Sequence, residues 1–164
     1  MSQNIRESIL RNLEHNSRID LHDLAIMLNI DDAKLANEIQ EMEKENVICG
    51  YHTLINWDNT SKEIVTALIE VKVSPQRNLG FDMIAERIAK FSEVTSVYLM
   101  SGGFDFMVLI EGRSMKEVAR FVFDKLSTLD SVLSTSTHFV LKKFKDHGVD
   151  LFEKKKDERM LVSA

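Results

Sequence analysis

The sequence has 164 residues, 44% hydrophobic and 29% charged, enough apolar material for one ordinary domain or two small ones and too much for a disordered chain. One cysteine, Cys49, excludes an intramolecular disulfide framework and a cysteine-based zinc site. The net charge of −5 is unevenly placed, since residues 1–50 hold five Lys+Arg against ten Asp+Glu and the remainder balances; taken alone, this argues against a nucleic-acid partner, whose phosphates are met by cations. The stretch "MSQNIRES" has no apolar signal core and no apolar run nears bilayer length, so a cytoplasmic location without a membrane partner is expected.

Ile5, Ile9, Leu10 and Leu13 recur at helical spacing and stop at Asn16-Ser17. Asp20 then precedes a Leu21, Leu24, Ala25, Leu28 stripe, where its carboxylate can accept from first-turn amides. After a short connection at Asn29-Ile30, Asp31 is placed to cap a third helix with a Leu35, Ile39, Met42 stripe. Three short helices joined this tightly form a tri-helical unit of the helix-turn-helix kind, over residues 1–50. "VICGYHTLINW", β-branched and aromatic, predicts a strand from Val47 to Trp57, with Gly50 at the handover from helix. It forms the core of a linking segment over 51–63.

From residue 64 the period changes. Val65, Ala67, Ile69, Val71 and Val73 alternate as a strand ending at Pro75, followed by a helix over Phe81–Ala89 and a strand from Val94 to Met100. "SGGFD" (Ser101–Asp105) turns the chain into a strand over Phe104–Glu111; a helix over Met115–Leu126 and a strand over Val132–Lys142 follow. The order βαββαβ over 64–143 predicts an α+β, ferredoxin-like sandwich with helices on one sheet face only. Met107, Leu109, Leu68, and also Phe139 and Leu141, are placed on the uncovered face, and an apolar open face predicts a homodimer through the sheets. The tail, 144–164, ends in mixed charge, "EKKKDERMLVSA".

"EKENVICGYHTLIN" after the helices, "VYLMSGGFDFMVLIEG" in the sheet and the closing "STSTHFVLKKFK" resemble the leucine-responsive/asparagine regulator (Lrp/AsnC) family of prokaryotic transcription factors. The resemblance spans nearly all of residues 5–145. It implies a double-stranded DNA operator, a homodimer assembling to a tetramer or octamer, and a free amino acid bound between dimers. By resemblance Leu99, Met100, Ser101, Gly102, Gly103 and Asp105, with Thr137 and His138, line the effector site. Gly102 and Gly103 would adopt positive φ and expose amides to a carboxylate, and Asp105 could pair with an α-ammonium. The plain alternative is a hairpin in which the glycines serve turn geometry and Asp105 bonds locally.

In the third helix, burial of Leu35, Ile39 and Met42 is expected to turn Lys34, Asn37, Glu38, Glu41 and Lys44 outward. The expected base readers are Asp32, Lys34, Asn37 and Glu38, with Arg6, Arg11, Arg18, His22 and Ser17 as phosphate anchors. The family's equivalent helix usually carries several Arg or Lys, whereas Asp31–Glu45 holds six acids against two lysines. Two readings therefore compete: weak sites made effective by multivalent assembly, or an effector-sensing oligomer with weakened DNA binding. The sirohaem decarboxylases share a similar two-domain plan, but the five histidines are scattered one to an element, without metal or catalytic spacing. No enzyme activity and no cofactor are expected.

Overall fold

A computed structural model describes residues 3–74 and 80–152. The lysine run and apolar end of the tail lie outside these residues, as does Pro75. The chain divides into two compact units, Met1–Leu54 and Ile55–Ala164.

The first unit holds α1 (Gln3–His15), α2 (Leu21–Leu28) and α3 (Asp32–Lys44). Ile9, Leu13, Leu24, Ala25, Leu35, Ile39 and Met42 form its core, with Ile30 and Ile48 packed against it. Each large side chain that is fully buried contributes about 1.5–3 kcal/mol, a sizeable share for so small a unit. Asp20 caps α2 as expected, accepting from the amides of His22 (2.8 Å) and Asp23 (3.3 Å). Asp31 occupies the same position on α3, but its side chain makes no capping bond.

Both α2 and α3 end on an asparagine in the left-handed region, Asn29 (φ 52°) and Asn46 (φ 56°). At each end the two bonds of a Schellman motif close: Asn29 N to Ile26 O and Ile30 N to Ala25 O, then Asn46 N to Glu43 O and Val47 N to Met42 O. Asparagine is the residue that tolerates this backbone best after glycine. The handover from helix thus occurs at Asn46, and Gly50 has no positive φ.

The strand expected over Val47–Trp57 does not form a ladder; Tyr51–Asn56 lies outside regular structure and Trp57–Asn59 is a single 3₁₀ turn. β propensity alone does not make a strand when no neighbour supplies hydrogen bonds.

The second unit is a four-stranded antiparallel sheet of β1 (Val65–Val73), β2 (Val94–Leu99), β3 (Phe106–Gly112) and β4 (Val132–Phe139), in the order β2-β3-β1-β4. Helix α4 (Phe81–Ala89) joins β1 to β2, and α5 (Met115–Phe121) widens into a π-type turn over Val122–Leu126. This is the expected βαββαβ order. Ala67, Ile69 and Val71 oppose Ile110, Val108 and Phe106, and this face packs on Ile84, Ile88, Val118, Phe121 and Leu126.

Three local expectations change. β3 begins at Phe106, because Phe104 and Asp105 belong to the bend before it. Phe139 pairs with Ala67 and packs against the helix-side core, so it is not on the open face, while Leu141 lies beyond β4 and is 90% exposed. Within the segment expected to be tail, β5 (Lys145–Asp146) and β6 (Val149–Asp150) form a hairpin. Its two central residues, His147 (φ 44°) and Gly148 (φ 79°), have the positive φ of a type I′ turn.

Candidate functional sites

Most of the acids on α3 are held within the unit. Arg6 of α1 donates through Nε to Glu38 and through its terminal nitrogens to Glu45 at 2.9 and 3.2 Å. The Glu45 carboxyl is held below its usual range by this bond. Tyr51 donates its hydroxyl to Glu43 at 2.8 Å, and Asp32 lies 2.8 Å from His22 Nδ1. Of the six acids between Asp31 and Glu45, only Asp31 and Glu41 make no such side-chain contact among the described residues.

These contacts correct two assignments. Glu38 is 9% exposed and lies among Leu35, Ile39 and Met42 on the inner face of α3, so it cannot reach a base. Arg6 is paired with two carboxylates, which neutralise its guanidinium and make it a poor phosphate anchor. Lys34 and Asn37 are exposed on α3, and Arg18 is exposed in the α1–α2 connection. Ser17 lines a groove of about 400 Å³ with Leu21, Ala36, Gln40 and Tyr51. His22 and Asp32 join the start of α2 to the start of α3, and the hydrogen bond to Asp32 raises the His22 pKa above its ordinary value.

In the sheet unit, the bend between β2 and β3 is closed by Met100 N donating to Asp105 O at 2.8 Å. Asp105 N donates to Val71 O at 3.0 Å, and Asp105 Oδ2 accepts from Val73 N at 2.8 Å. One carboxylate oxygen therefore fastens the bend to the end of β1. Among the described residues, the amides of Ser101, Gly102, Gly103 and Phe104 donate to no protein acceptor. Gly102 has φ 143°, as expected, whereas Gly103 has no positive φ.

Leu99 to Asp105 are thus brought together, but Thr137 and His138 are not brought to them. Thr137 opposes Ile69 and so shares the helix side of the sheet. His138 opposes Leu68 on the other side, two strands across from β3 and three residues along from the level of Phe106, which places it roughly 14 Å away by strand spacing and rise. There its Nε2 lies 3.3 Å from Glu70 Oε1 and 3.3 Å from Ser136 Oγ. The same open face carries Leu68, Leu109, Met107 and Tyr98.

The sequence matches the family model described as the Lrp/AsnC ligand binding domain over residues 66–150. The chain belongs to the Lrp/AsnC family. An HTH-type transcriptional regulator, YugG, of Bacillus subtilis strain 168 is 52% identical over 155 residues, 94% of this chain and 93% of the relative. Solved folds agree. The Neisseria meningitidis transcriptional regulator NMB0573, in its L-Met complex, aligns with TM-score 0.70 at 20% identity over 89% of this chain and 94% of that one. E. coli AsnC aligns at TM-score 0.65 and 20% identity, covering 87% and 94%.

As an Lrp/AsnC protein the chain is a helix-turn-helix transcriptional regulator with a ligand-binding domain. No helix among the described residues is long and apolar enough to cross a membrane. For this Lrp/AsnC chain, sequence reasoning missed the Arg6 bridge and the exposure of Ala33 and Gln40 on α3. Helical phase could have found the last two, since both lie opposite Leu35 and Met42.

Proposed function

We propose that this protein binds operator DNA through α3 as a homodimer joined at its open sheet faces, and that an amino acid bound at the Ser101–Asp105 bend controls its further assembly. The observation that carries this reading is the bend itself. Four amides without acceptors lie beside a carboxylate with one oxygen uncommitted to Val73, and such a pair of features meets both the α-carboxylate and the α-ammonium of an amino acid. The L-methionine in the neisserial regulator supports the same ligand class. If Thr137 and His138 also line the site, they come from another subunit, given their separation from the bend. An effector that binds one assembly better than another shifts the population toward it.

On the DNA side, Arg11, Arg18, Lys34 and Lys44 are exposed and make no ion pair among the described residues. Four phosphate contacts give a salt dependence no steeper than roughly −3.6 in log–log slope per subunit. Tight binding then comes from linking several subunits on one fragment.

The test is fluorescence-anisotropy titration onto DNA from upstream of the protein's own gene, at several salt concentrations, with and without free amino acids. Salt-sensitive binding that amino acids shift is the expected result. Failure to bind that DNA at low salt, with amino acids still changing particle size in light scattering, would replace it with an effector-sensing oligomer. Leu109→Lys, which puts a charge into the open face, is expected to give monomers.

A further inference from the structure

Helical phase advances 100° per residue, and the buried residues Leu35, Glu38, Ile39 and Met42 fix the inner side of α3. Directly opposite lie Ala33, Asn37 and Gln40, at i, i+4 and i+7, with Lys44 one turn beyond, all exposed. Lys34 and Glu41 stand on one flank of this ridge, Ala36 and Glu43 on the other. The crest of a helix rich in acid is thus uncharged over its first nine residues. Its two polar members are primary amides, each offering a donor and an acceptor in one plane.

That pair of groups matches adenine in the major groove, which shows the N7 acceptor beside the N6 donor. Guanine shows two acceptors and leaves the amide oxygen facing O6. Ala33 presents a methyl group of the kind that contacts the thymine methyl, and its small size, like that of Ala36, lets the helix lie close to the base edges. From Ala33 to Gln40 the rise is roughly 10.5 Å at 1.5 Å per residue, about three base-pair steps at 3.4 Å. Lys34, about a quarter turn from the crest, is aimed toward a groove wall and its phosphates.

We infer that this regulator selects consecutive A·T pairs through Ala33, Asn37 and Gln40, with Lys34 as a phosphate contact and not a base reader. The inference rests on the reading of α3 as the DNA-entering helix. The experiment is selection of bound duplexes from a randomised library by the full-length protein and by the Asn37→Ala, Gln40→Ala, Gln40→Glu and Lys34→Ala variants. The positions are exposed, and a thermal melt of each variant verifies that it folds.

Wild type is expected to enrich half-sites with A·T pairs at adjacent positions. Asn37→Ala and Gln40→Ala should each abolish the adenine preference at one position, a loss of roughly 5- to 150-fold in discrimination. Gln40→Glu should move that position toward cytosine, whose amino group a carboxylate accepts from. Lys34→Ala should weaken all sequences alike and reduce the salt slope by about one. G·C-rich selected sites, or a base preference that survives both alanine variants, would overturn the inference while leaving operator binding in place. No enriched duplex at low salt would overturn it together with the reading beneath it.

Discussion

Replacing Asp105 by alanine and by asparagine separates its two tasks. In the native bend, its Oδ2 accepts from Val73 N at 2.8 Å, at a partly buried position that ties β3's approach to the end of β1. A hydrogen bond to a charged group is worth about 1.5–3 kcal/mol net, and its loss leaves an amide short of a partner. Asp105→Ala should therefore cost about 2 kcal/mol, which for a domain of this size lowers the melting temperature by roughly 8–16 °C. Asp105→Asn keeps an oxygen for Val73 N–H and should melt within a few degrees of wild type, but it removes the charge that would pair with an α-ammonium. Isothermal titration with free amino acids should show affinity falling roughly 10- to 150-fold for Asp105→Asn. An Asp105→Ala protein that melts like wild type would refute the fastening role. An Asp105→Asn protein with unchanged affinity would refute the ammonium role.

The left-handed cap of α3 gives a second test: Asn46→Ala should destabilise the first unit by about 1 kcal/mol, and Asn46→Gly should leave it as stable or slightly more so, measured by chemical denaturation. At the bend, Gly102→Ala meets a φ of 143° and should lower stability by about 1 kcal/mol or more; Gly103→Ala, with open space and no positive φ, should be neutral in the same melts. His22 carries a pKa raised by Asp32. Its contribution is fully present below the unfolded value of about 6.5 and is lost as pH rises through the higher folded value. The melting temperature of the first unit should therefore fall between pH 6 and pH 8 more in wild type than in His22→Gln, and equal slopes would show that the pair adds nothing.

α4 is legible to the residue and β1 in its start and its alternation, because a clean 3.6-residue period and a clean period of two each have one solution. "VICGYHTLINW" carried equal β propensity and failed, since a ladder depends on a neighbouring strand that the segment's own residues do not specify. Glu38 misled for a related reason. Its place on the helix wheel is on the inner side with Leu35 and Met42, and only a partner 32 residues away, Arg6, makes a carboxylate acceptable there. The face of Phe139 is set by its register to Ala67, which the alternation within β4 does not by itself specify. The hairpin at His147-Gly148 has a local turn signal in "DHG", within a segment whose mixed charge otherwise reads as tail. Of the effector residues, the contiguous ones came together because a bend is local, whereas Thr137 and His138 depend on which face and which end of β4 they occupy.

Arg6 sits on α1, a helix that carries none of the proposed base readers, yet it sets the charge of the helix that does. One substitution there would leave the carboxylates of Glu38 and Glu45 without their cation while leaving Ala33, Asn37 and Gln40 unchanged. Strength of attachment is thereby adjustable from α1, apart from the side chains on α3 proposed to choose the sequence. Such a regulator can be weakened or strengthened over the course of descent without being redirected to new promoters.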